Sequence, residues 1–215
     1  MRITLFCSDV THPVYSHLLA WKTANSNIYS ISIISNVNEI EKPGDILFLI
    51  SCTDIIKAEI REMFSYTLVL HASDLPEGRG WSPHIWDILA GKNELVVSLL
   101  DAEDKVDIGA IWQKKCIKLS GHELYDEINR LLFNAEIELI SWACENISTA
   151  TPTQQETGVF SYHRLRIADD SKVDIDCSIR EQFNLLRVCD PNRYPAFFKL
   201  KGIRYKLIIE KYDEK

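Results

Sequence analysis

One segment carries most of the information about the architecture: Leu68-Val-Leu-His71-Ala-Ser-Asp-Leu-Pro76-Glu-Gly-Arg-Gly80-Trp-Ser-Pro83-His-Ile-Trp86. Its first three residues form an apolar run that is typical of a buried strand. A polar loop with two glycines follows, and Pro83 then stands where a first helical turn tolerates the missing N–H of proline. A strand, a loop and a helix in this order are the building unit of an α/β protein.

The same alternation continues on both sides of this segment. Apolar runs typical of strands lie at residues 3–6, 28–34, 46–50, 68–70, 95–100 and 111–117. Helical patterns lie at residues 14–23, 54–64, 83–89 and 121–145, and in the last of these the apolar residues recur every three or four positions. We therefore predict the α/β class, with a mostly parallel sheet covered by helices on both faces.

The last third of the chain has a different character. Residues 146–158 contain almost no large apolar side chain and are predicted to form a loop that leaves the core. A short segment at residues 160–166, a helix at 174–188 and a β-hairpin of residues 196–200 and 203–210 follow, with Lys201-Gly202 as the turn. We predict a core of residues 1–148 and a C-terminal extension of residues 149–215.

Length and charge limit the possible functions. A chain of 215 residues with 46% apolar and 26% charged residues buries enough surface to fold as one globular unit. Its 24 Lys and Arg against 31 Asp and Glu give a net charge of −7, which disfavours general nucleic-acid binding. Residues 180–215 carry nine basic and five acidic side chains, a net +4, so an anion site near the C-terminal segment stays open.

Targeting and metal-binding patterns are missing from the sequence. The N-terminal residues lack the apolar core and cleavage site of a signal peptide, and no apolar stretch reaches 18 residues. The six cysteines are far apart, and no pair has the C-x-x-C spacing of a zinc or redox site. These patterns predict a cytoplasmic protein with scattered thiols, no metal and no membrane segment.

Two polar elements are the candidates for a functional site. His71 follows the strand of residues 68–70, and ligands of open α/β sheets bind beyond the carboxyl ends of the strands. The second element is an acidic loop that leads to Asp107 and Gly109, with a spacing unlike that of an EF-hand. There is no G-x-G-x-x-G and no Walker A loop, so nucleotide binding by those motifs loses its support.

These elements together resemble a known family. His-x-Ser-x-Leu-Pro, then Arg-Gly and Ser-Pro before a helix, then Asp-x-Gly about 36 residues after the histidine, is similar to the formyltransferases that use 10-formyltetrahydrofolate. That family includes methionyl-tRNA formyltransferase, glycinamide ribonucleotide transformylase and the sugar N-formyltransferases. Gln155, the Tyr162-His-Arg-Leu-Arg166 run and the segment from Arg187 to Phe198 resemble the sugar enzymes. The resemblance implies a Rossmann-like formyltransferase fold.

The resemblance also implies a direct transfer of a formyl group to an amine. The family's histidine, here His71, hydrogen-bonds the formyl oxygen and stabilises the tetrahedral oxyanion. The family's aspartate, here Asp107, orients the histidine or assists removal of a proton from the amine. The co-substrate N10-formyltetrahydrofolate is held by two loops, whose residues here are Cys52, Thr53, Asp54, Ile55, Glu103, Asp104 and Lys105.

One position departs from the family pattern. The family has Asn-x-His, and its asparagine also contacts the formyl oxygen, whereas this chain has Val69 in that place. Loss of one oxyanion donor costs on the order of 10²–10³ in rate, so another group must substitute or the enzyme is slow. Ser73 and Thr53 are the candidate substitutes. An inactive homologue that binds folate or a sugar nucleotide is the alternative.

The expected acceptor is the 4-amino group of a nucleotide-linked 4-amino-4,6-dideoxy sugar. The histidine loop, residues 71–80, and the residues after it up to Trp86 resemble the branch that acts on UDP-4-amino-4,6-dideoxy-N-acetyl-L-altrosamine, a side branch of pseudaminic acid synthesis. This resemblance would place the protein in surface polysaccharide biosynthesis. A methionyl-tRNA formyltransferase-like activity is the alternative, for which residues 150–215 leave no room for the extra barrel of those enzymes. A homodimer through the Phe197-Phe198 hairpin is also expected. The candidate substrate-binding residues are Ser8, His12, Arg79, Trp81, His84, Arg187 and Tyr194.

Overall fold

A six-stranded sheet forms the centre of the computed structural model, which describes residues 1–156, 158 and 160–212. Its spatial strand order is 2-1-3-4-6-7, and two smaller sheets pair strand 5 with 8 and strand 9 with 10. The strands are β1 (Arg2–Phe6), β2 (Ser30–Ile34), β3 (Gly44–Leu49), β4 (Phe64–His71), β5 (Arg79–Gly80), β6 (Glu94–Asp101), β7 (Ile111–Lys118), β8 (Tyr162–His163), β9 (Ala196–Leu200) and β10 (Ile203–Leu207).

The direction of the strands matches the prediction of a mostly parallel sheet. Strands β1 to β4 run parallel to one another, and only β6 runs against its neighbours β4 and β7. Because β6 is antiparallel, its last residue, Asp101, lies beside Leu68 in the middle of β4. The chain then folds back, and the N–H of Asp101 donates to the carbonyl of Ala110 at 2.9 Å. This return carries the loop of residues 102–110 towards the carboxyl end of β4.

Helices cover both faces of the sheet, as predicted. The helices are α1 (Val14–Asn25), α2 (Ala58–Arg61), α3 (Pro83–Leu89), α4 (Tyr125–Asn146) and α5 (Phe183–Arg187). Buried residues of α1, α3 and α4 join the larger core cluster with the inner residues of β1, β3, β4 and β6. The opposite face is covered more thinly, by α2 and the 3₁₀ turn Val37–Glu39. No described helix is long and apolar enough to cross a bilayer.

Two predicted helices are much shorter than expected. In the segment of residues 54–64 only Ala58–Arg61 is helical, because Phe64 already belongs to β4, where it pairs with Gly44. In the segment of residues 174–188 only Phe183–Arg187 is helical. There the side-chain amide of Gln182 donates to three main-chain carbonyls, including that of Asp174, and such bonds compete with the helix.

The C-terminal segment packs as a small second layer. The hairpin of β9 and β10 is confirmed in register, and Lys201 and Gly202 both have positive φ, as a two-residue turn requires. A separate buried cluster lies beneath this hairpin and consists of Val173, Leu186, Cys189 and Ala196. The loop predicted to leave the core at residues 146–158 instead stays on the central sheet at Thr153, which pairs with Ile111. The division at residue 148 stays a prediction.

Candidate functional site

The candidate site is centred on His71, at the carboxyl end of β4. Its side chain is buried, and ring atom Nε2 lies 3.0 Å from the carbonyl oxygen of Gly78. A carbonyl oxygen only accepts hydrogen bonds, so this contact places a proton on Nε2. In the neutral ring the lone pair is then on Nδ1, the atom that faces Asp107.

The carboxylate of Asp107 is buried and lies beside Nδ1 of His71. Its Oδ1 lies 3.4 Å from Nδ1 of His71, and its Oδ2 accepts a hydrogen bond from the N–H of Gly80 at 2.9 Å. The residue has φ +60°, a left-handed conformation that is uncommon outside glycine. The pairing predicted from the sequence therefore exists, and a doubly protonated His71 would donate a hydrogen bond on each side.

Two glycines permit the close approach of the chain around the pair. A Cβ on Gly109 would lie 1.9 Å from the carbonyl oxygen of Asp101, so no other residue fits where the loop crosses the end of β6. A Cβ on Gly80 would lie 2.3 Å from the carbonyl oxygen of His163. The Asp-x-Gly and Arg-Gly pairs of the sequence are thus required by packing.

A covering segment, defined as residues 153–163 with 157 and 159 outside the described part, lies across the histidine loop. The N–H of Gly78 donates to Oγ of Ser161 at 2.8 Å, and that hydroxyl donates to Glu77 at 2.7 Å. The guanidinium of Arg79 lies 4.7 Å from the centre of the Phe160 ring. The contacts fix the loop that carries Gly78 and Gly80, the main-chain partners of His71 and Asp107.

Sequence reasoning missed the importance of Gln155, in the covering segment. Its side-chain amide donates to the main-chain carbonyls of Asp107 and Gly109 and accepts from Arg79. Its only sequence signal was membership of a segment resembling sugar N-formyltransferases, in a loop of otherwise polar composition. Arg79, a candidate substrate-binding residue, contacts Gln155 and Phe160, and its binding to substrate stays a prediction.

The two residues considered in connection with the missing asparagine have clear positions. Val69 is half-buried and packs against the smaller core cluster, so it supplies no hydrogen-bond donor. Ser73 is 1% exposed, and its Oγ has no partner among the described residues. A Cβ on Gly78 would lie 2.9 Å from that of Ser73, which shows how closely the loop covers the serine. The role of Ser73 at the formyl oxygen stays a prediction, as does that of Thr53.

A second polar group, the first-loop cluster of Ser8, Asp9, His12 and Arg193, lies at the end of β1. Arg193 pairs with Asp9 at 2.8 Å, and Ser8 accepts from the N–H of Thr53 at 3.1 Å. Burial, and then the charge of Arg193, lower the pKa of His12 to about 4. Its Nδ1 accepts from the N–H of Val14 at 3.3 Å, as a neutral ring requires. The structure therefore joins two predicted substrate-binding residues, Ser8 and His12, to the basic C-terminal segment.

The aromatic residues after the histidine loop differ in exposure. Trp81 is 40% exposed, whereas the Nδ1 of His84 is buried without a partner among the described residues. Burial, followed by the nearby His71 and His12, lowers the pKa of His84 to about 4. Trp86 stacks on His163 at 5.8 Å. Trp81 and His84 both stay predicted binding residues.

The two candidate substrate-binding residues of the C-terminal segment differ in exposure. Arg187 is 1% exposed and lies 3.5 Å from the carboxylate of Glu123, beside Asn184. Burial against Glu123 leaves Arg187 almost no exposed surface, and its binding to a nucleotide stays a prediction. Tyr194 is 57% exposed, next to Arg193, and stays a candidate.

The predicted folate-binding loops lie beyond β3 and β6. Thr53, Asp54, Glu103, Asp104 and Lys105 are exposed, Cys52 is half-buried, and burial raises the pKa of the Cys52 thiol. Arg61 joins the two loops by donating to Asp104 at 2.6 Å and to the carbonyl of Ile56 at 2.6 Å. Apolar side chains project from both loops, with Ile55 69%, Val106 56% and Ile108 37% exposed.

Metal-ligating side chains do not cluster in the described part of the chain, where no group of three His, Cys, Asp or Glu residues could hold an ion.

Known proteins resemble this chain in sequence. A methionyl-tRNA formyltransferase from Rickettsia prowazekii is 30% identical over 165 residues, which are 71% of this chain and 54% of that protein. One from Lactobacillus johnsonii is 27% identical over 142 residues, 64% of this chain and 44% of that protein. The chain thus spans about half the length of the curated relatives it matches. No family model matches it.

Solved structures resemble this chain along nearly its whole length. A methionyl-tRNA formyltransferase from Clostridium thermocellum superimposes with a TM-score of 0.82 at 22% identity, covering 99% of this chain and 94% of that one. A 4-N formyltransferase from Francisella tularensis gives 0.69 at 17% identity, covering 99% and 98%. HypX from Aquifex aeolicus, in complex with tetrahydrofolic acid, gives 0.78 at 20%, covering 97% and 37%. The chain therefore has the formyltransferase fold, as the resemblance implied.

Proposed function

We propose that this protein transfers a formyl group from a folate donor to the amine of a small, nucleotide-linked amino sugar. The observation that carries the reaction type is the buried pair of His71 and Asp107, with its geometry fixed by the main chain of Gly78 and Gly80. The sequence similarity to methionyl-tRNA formyltransferases and the shared fold support membership of the folate-dependent formyltransferases.

The contacts of His71 and Asp107 support a definite path for the proton. The hydrogen bond to Gly78 leaves Nδ1 of His71 free to accept a proton from the attacking amine, and Asp107 at 3.4 Å stabilises the imidazolium that results. The positive charge of the imidazolium also stabilises the negative charge that develops on the formyl oxygen. Overall, the amine nitrogen forms a bond to the formyl carbon, the bond from that carbon to N10 of the donor breaks, and a proton moves from the amine to N10.

The residues present suit the folate donor as co-substrate. A pterin is flat and carries several amide-like groups, so it needs apolar contacts on its faces and main-chain hydrogen bonds at its edge. The exposed apolar side chains Ile55, Val106 and Ile108 stand on the two loops predicted to hold it. Cys52, Thr53, Asp54, Glu103, Asp104 and Lys105 supply main-chain groups on these loops, and when bound the donor supplies the activated formyl carbon.

An amino-sugar acceptor is supported by charge and by the composition of the first loop. The net charge of −7 disfavours a polyanion such as tRNA, while Arg193, Tyr194 and the neutral ring of His12 offer local contacts for a diphosphate and sugar. The sugar N-formyltransferase resemblance of the histidine loop favours UDP-4-amino-4,6-dideoxy-N-acetyl-L-altrosamine. A role in surface polysaccharide biosynthesis and a homodimer through the β9–β10 hairpin belong to the same proposal.

A single-turnover assay tests the reaction. The protein is mixed with N10-formyltetrahydrofolate and UDP-, dTDP- or GDP-linked 4-amino sugars, and the nucleotide sugar is analysed by mass spectrometry. We expect one formyl group to be added to a UDP-linked sugar, and the Asp107→Asn variant to lower the rate on the order of 10²–10³. The Asp126→Asn variant, which changes an exposed carboxylate of α4, is the matched control. Binding of both ligands without any transfer would falsify the proposal.

Methionyl-tRNA formylation is the second candidate, since the sequence relatives above carry that name. The same assay with initiator methionyl-tRNA as the acceptor separates the two. Formylation of the tRNA faster than of every amino sugar would select this alternative, and retention on tRNA that falls steeply with salt would accompany it.

A further inference from the structure

We infer that Gln155 is a positioning residue that holds Asp107 against His71, a role that rests on the proposed function. Gln155 touches neither ring nor carboxylate, and it acts through the main chain of the loop that carries Asp107. Gln155 lies in the covering segment, which has no part in the proposed chemical steps.

The contacts of Gln155 occupy its whole amide group. Nε2 donates to the carbonyl oxygen of Asp107 at 3.0 Å and to that of Gly109 at 2.8 Å. Oε1 accepts from Nη2 of Arg79 at 2.9 Å. Both amide protons and the amide oxygen therefore have partners, and a side chain without this donor and acceptor pattern cannot replace it.

The backbone around Gln155 is anchored independently of its side chain. Two residues earlier, Thr153 exchanges two main-chain hydrogen bonds of 2.8 Å with Ile111, the first residue of β7. The covering segment thus starts as an extension of the central sheet, and this sets the distance from Gln155 to the turn of residues 107–109. Loss of the amide would leave the segment docked at Thr153.

Asp107 needs such support because its backbone conformation is unfavourable. A non-glycine residue with φ +60° persists only where its surroundings impose that conformation. Its neighbours Val106 and Ile108 are exposed and pack little. The two hydrogen bonds from Gln155 hold the carbonyls on both sides of Ile108, and so fix the direction in which the Asp107 side chain leaves the turn.

The contact with Arg79 also connects Gln155 to the group that binds the Asp107 carboxylate. Arg79 precedes Gly80, whose N–H donates to Oδ2 of Asp107. Gln155 therefore holds both ends of that hydrogen bond, one through Arg79 and the other through the Asp107 carbonyl. Oδ2 is held by Gly80, which leaves Oδ1 directed at His71.

Two substitutions separate the contact of Gln155 with Arg79 from its contacts with the Asp107 turn. Gln155→Met keeps the length of the side chain and removes all three hydrogen bonds. Gln155→Glu keeps an acceptor for Arg79 but loses both donors to the Asp107 turn. Gln154→Met is the matched control, because Gln154 is exposed and its side chain forms no hydrogen bond within the described residues.

We expect both Gln155 variants to lower kcat between tenfold and a hundredfold, as a misplaced catalytic group does. The KM for the formyl donor stays within twofold, and Gln154→Met keeps the wild-type kcat. Full activity in Gln155→Glu would overturn the inference, because the Arg79 contact would then suffice. A rise in KM with unchanged kcat would overturn it as well.

Amide hydrogen exchange measured by NMR tests the same inference without any substrate. In Gln155→Met the N–H of Gly80, the donor to Asp107, is expected to exchange at least tenfold faster, while Thr153 and Ile111 keep their protection. Unchanged exchange at Gly80, or equal loss at all three sites, would contradict positioning. If the wild-type protein formylates no acceptor, the proposed function fails, and this measurement still decides whether Gln155 holds Asp107.

Discussion

Polar side chains lie at the carboxyl ends of β4 and β1, two strands of the sheet that β3 separates, and the protein holds the two groups in opposite ways. At the end of β4, His71 and Asp107 are buried, and each is tied to a main-chain group of the histidine loop. At the end of β1, Asp9 and Arg193 are 41% and 32% exposed at their side chains and are tied mainly to each other. The pair of His71 and Asp107 is therefore held rigidly, and the pair of Asp9 and Arg193 is accessible to a ligand.

The difference suits two tasks. A group that transfers a proton must be placed within a few tenths of an ångström of its target, and main-chain partners provide that placement. A group that binds a charged ligand must exchange one ionic partner for another, which an exposed pair does at little cost. This contrast supports the proposal that the His71 end carries out the chemistry and that the first-loop cluster binds the nucleotide part of the acceptor.

Removal of the imidazole should have the largest effect. The His71→Ala variant loses the proton acceptor, so kcat is expected to fall on the order of 10²–10⁴ with little change in the melting temperature. Steady-state formylation kinetics and a thermal melt measure the two quantities. His122→Ala changes an exposed histidine and serves as the control. A wild-type kcat in His71→Ala would show that His71 has no role in the chemical step.

A methyl group on Gly109 tests the rigidity itself. The new Cβ would collide with the carbonyl of Asp101 at 1.9 Å, so the loop must shift, at a cost of about 1–3 kcal/mol of stability. We expect a loss of kcat of about tenfold or more together with a lower urea midpoint. Gly91→Ala, where a Cβ meets no atom within 4 Å but φ is +87°, shows the cost of backbone conformation alone. A Gly109→Ala protein with the wild-type kcat and urea midpoint would mean that the collision is unimportant.

Replacement of Arg193 tests the accessible end. Arg193→Ala removes the cation that faces Asp9, and we expect the KM for the nucleotide sugar to rise about fivefold to tenfold, as for one charged hydrogen bond. The value of kcat should stay within twofold, unlike that of His71→Ala. Arg204→Ala, which breaks an exposed pair with Asp169, is the control. A fall in kcat without a change in KM would show that the two ends are not separate in function.

The smallest expected effect is on stability in acid. The pKa of His12 is about 4 in the folded protein, against about 6.5 in the unfolded chain. Because the unfolded state takes up the proton first, the stability that neutral His12 contributes is complete above pH 6.5 and is lost as the pH falls towards 4. His12 is only partly buried, so we expect about 1–2 kcal/mol.

Melting temperatures of the wild type and His12→Gln at pH 7.5 and pH 4.5 measure this contribution. The variant should lose less stability on acidification than the wild type, and His122→Gln should behave as the wild type. An identical loss in all three proteins would show that His12 titrates as an ordinary exposed histidine, which would make the first loop more open than its contacts indicate.

Much of the fold followed from local patterns. The six runs predicted as strands all lie in the central sheet, because a buried strand needs a continuous apolar run and the sequence shows each run directly. The 54–64 and 174–188 helices failed where local periodicity competed with other bonds. Phe64 was drawn into β4 by its pairing with Gly44, and Gln182 satisfied carbonyls that a helix would have used.

The sequence by itself determined the alternation of strands and helices, the presence of His71 and Asp107, and the glycine required near each. These are properties of short segments, and each has a local physical cause. Only the tertiary structure decided that the loop of residues 102–110 folds back onto β4 and that Arg187 is buried beside Glu123. It also decided that Gln155 forms a hydrogen bond with the main chain of Asp107. Those contacts join residues 33 to 76 positions apart, and periodicity within a segment carries no information about which distant segment it meets.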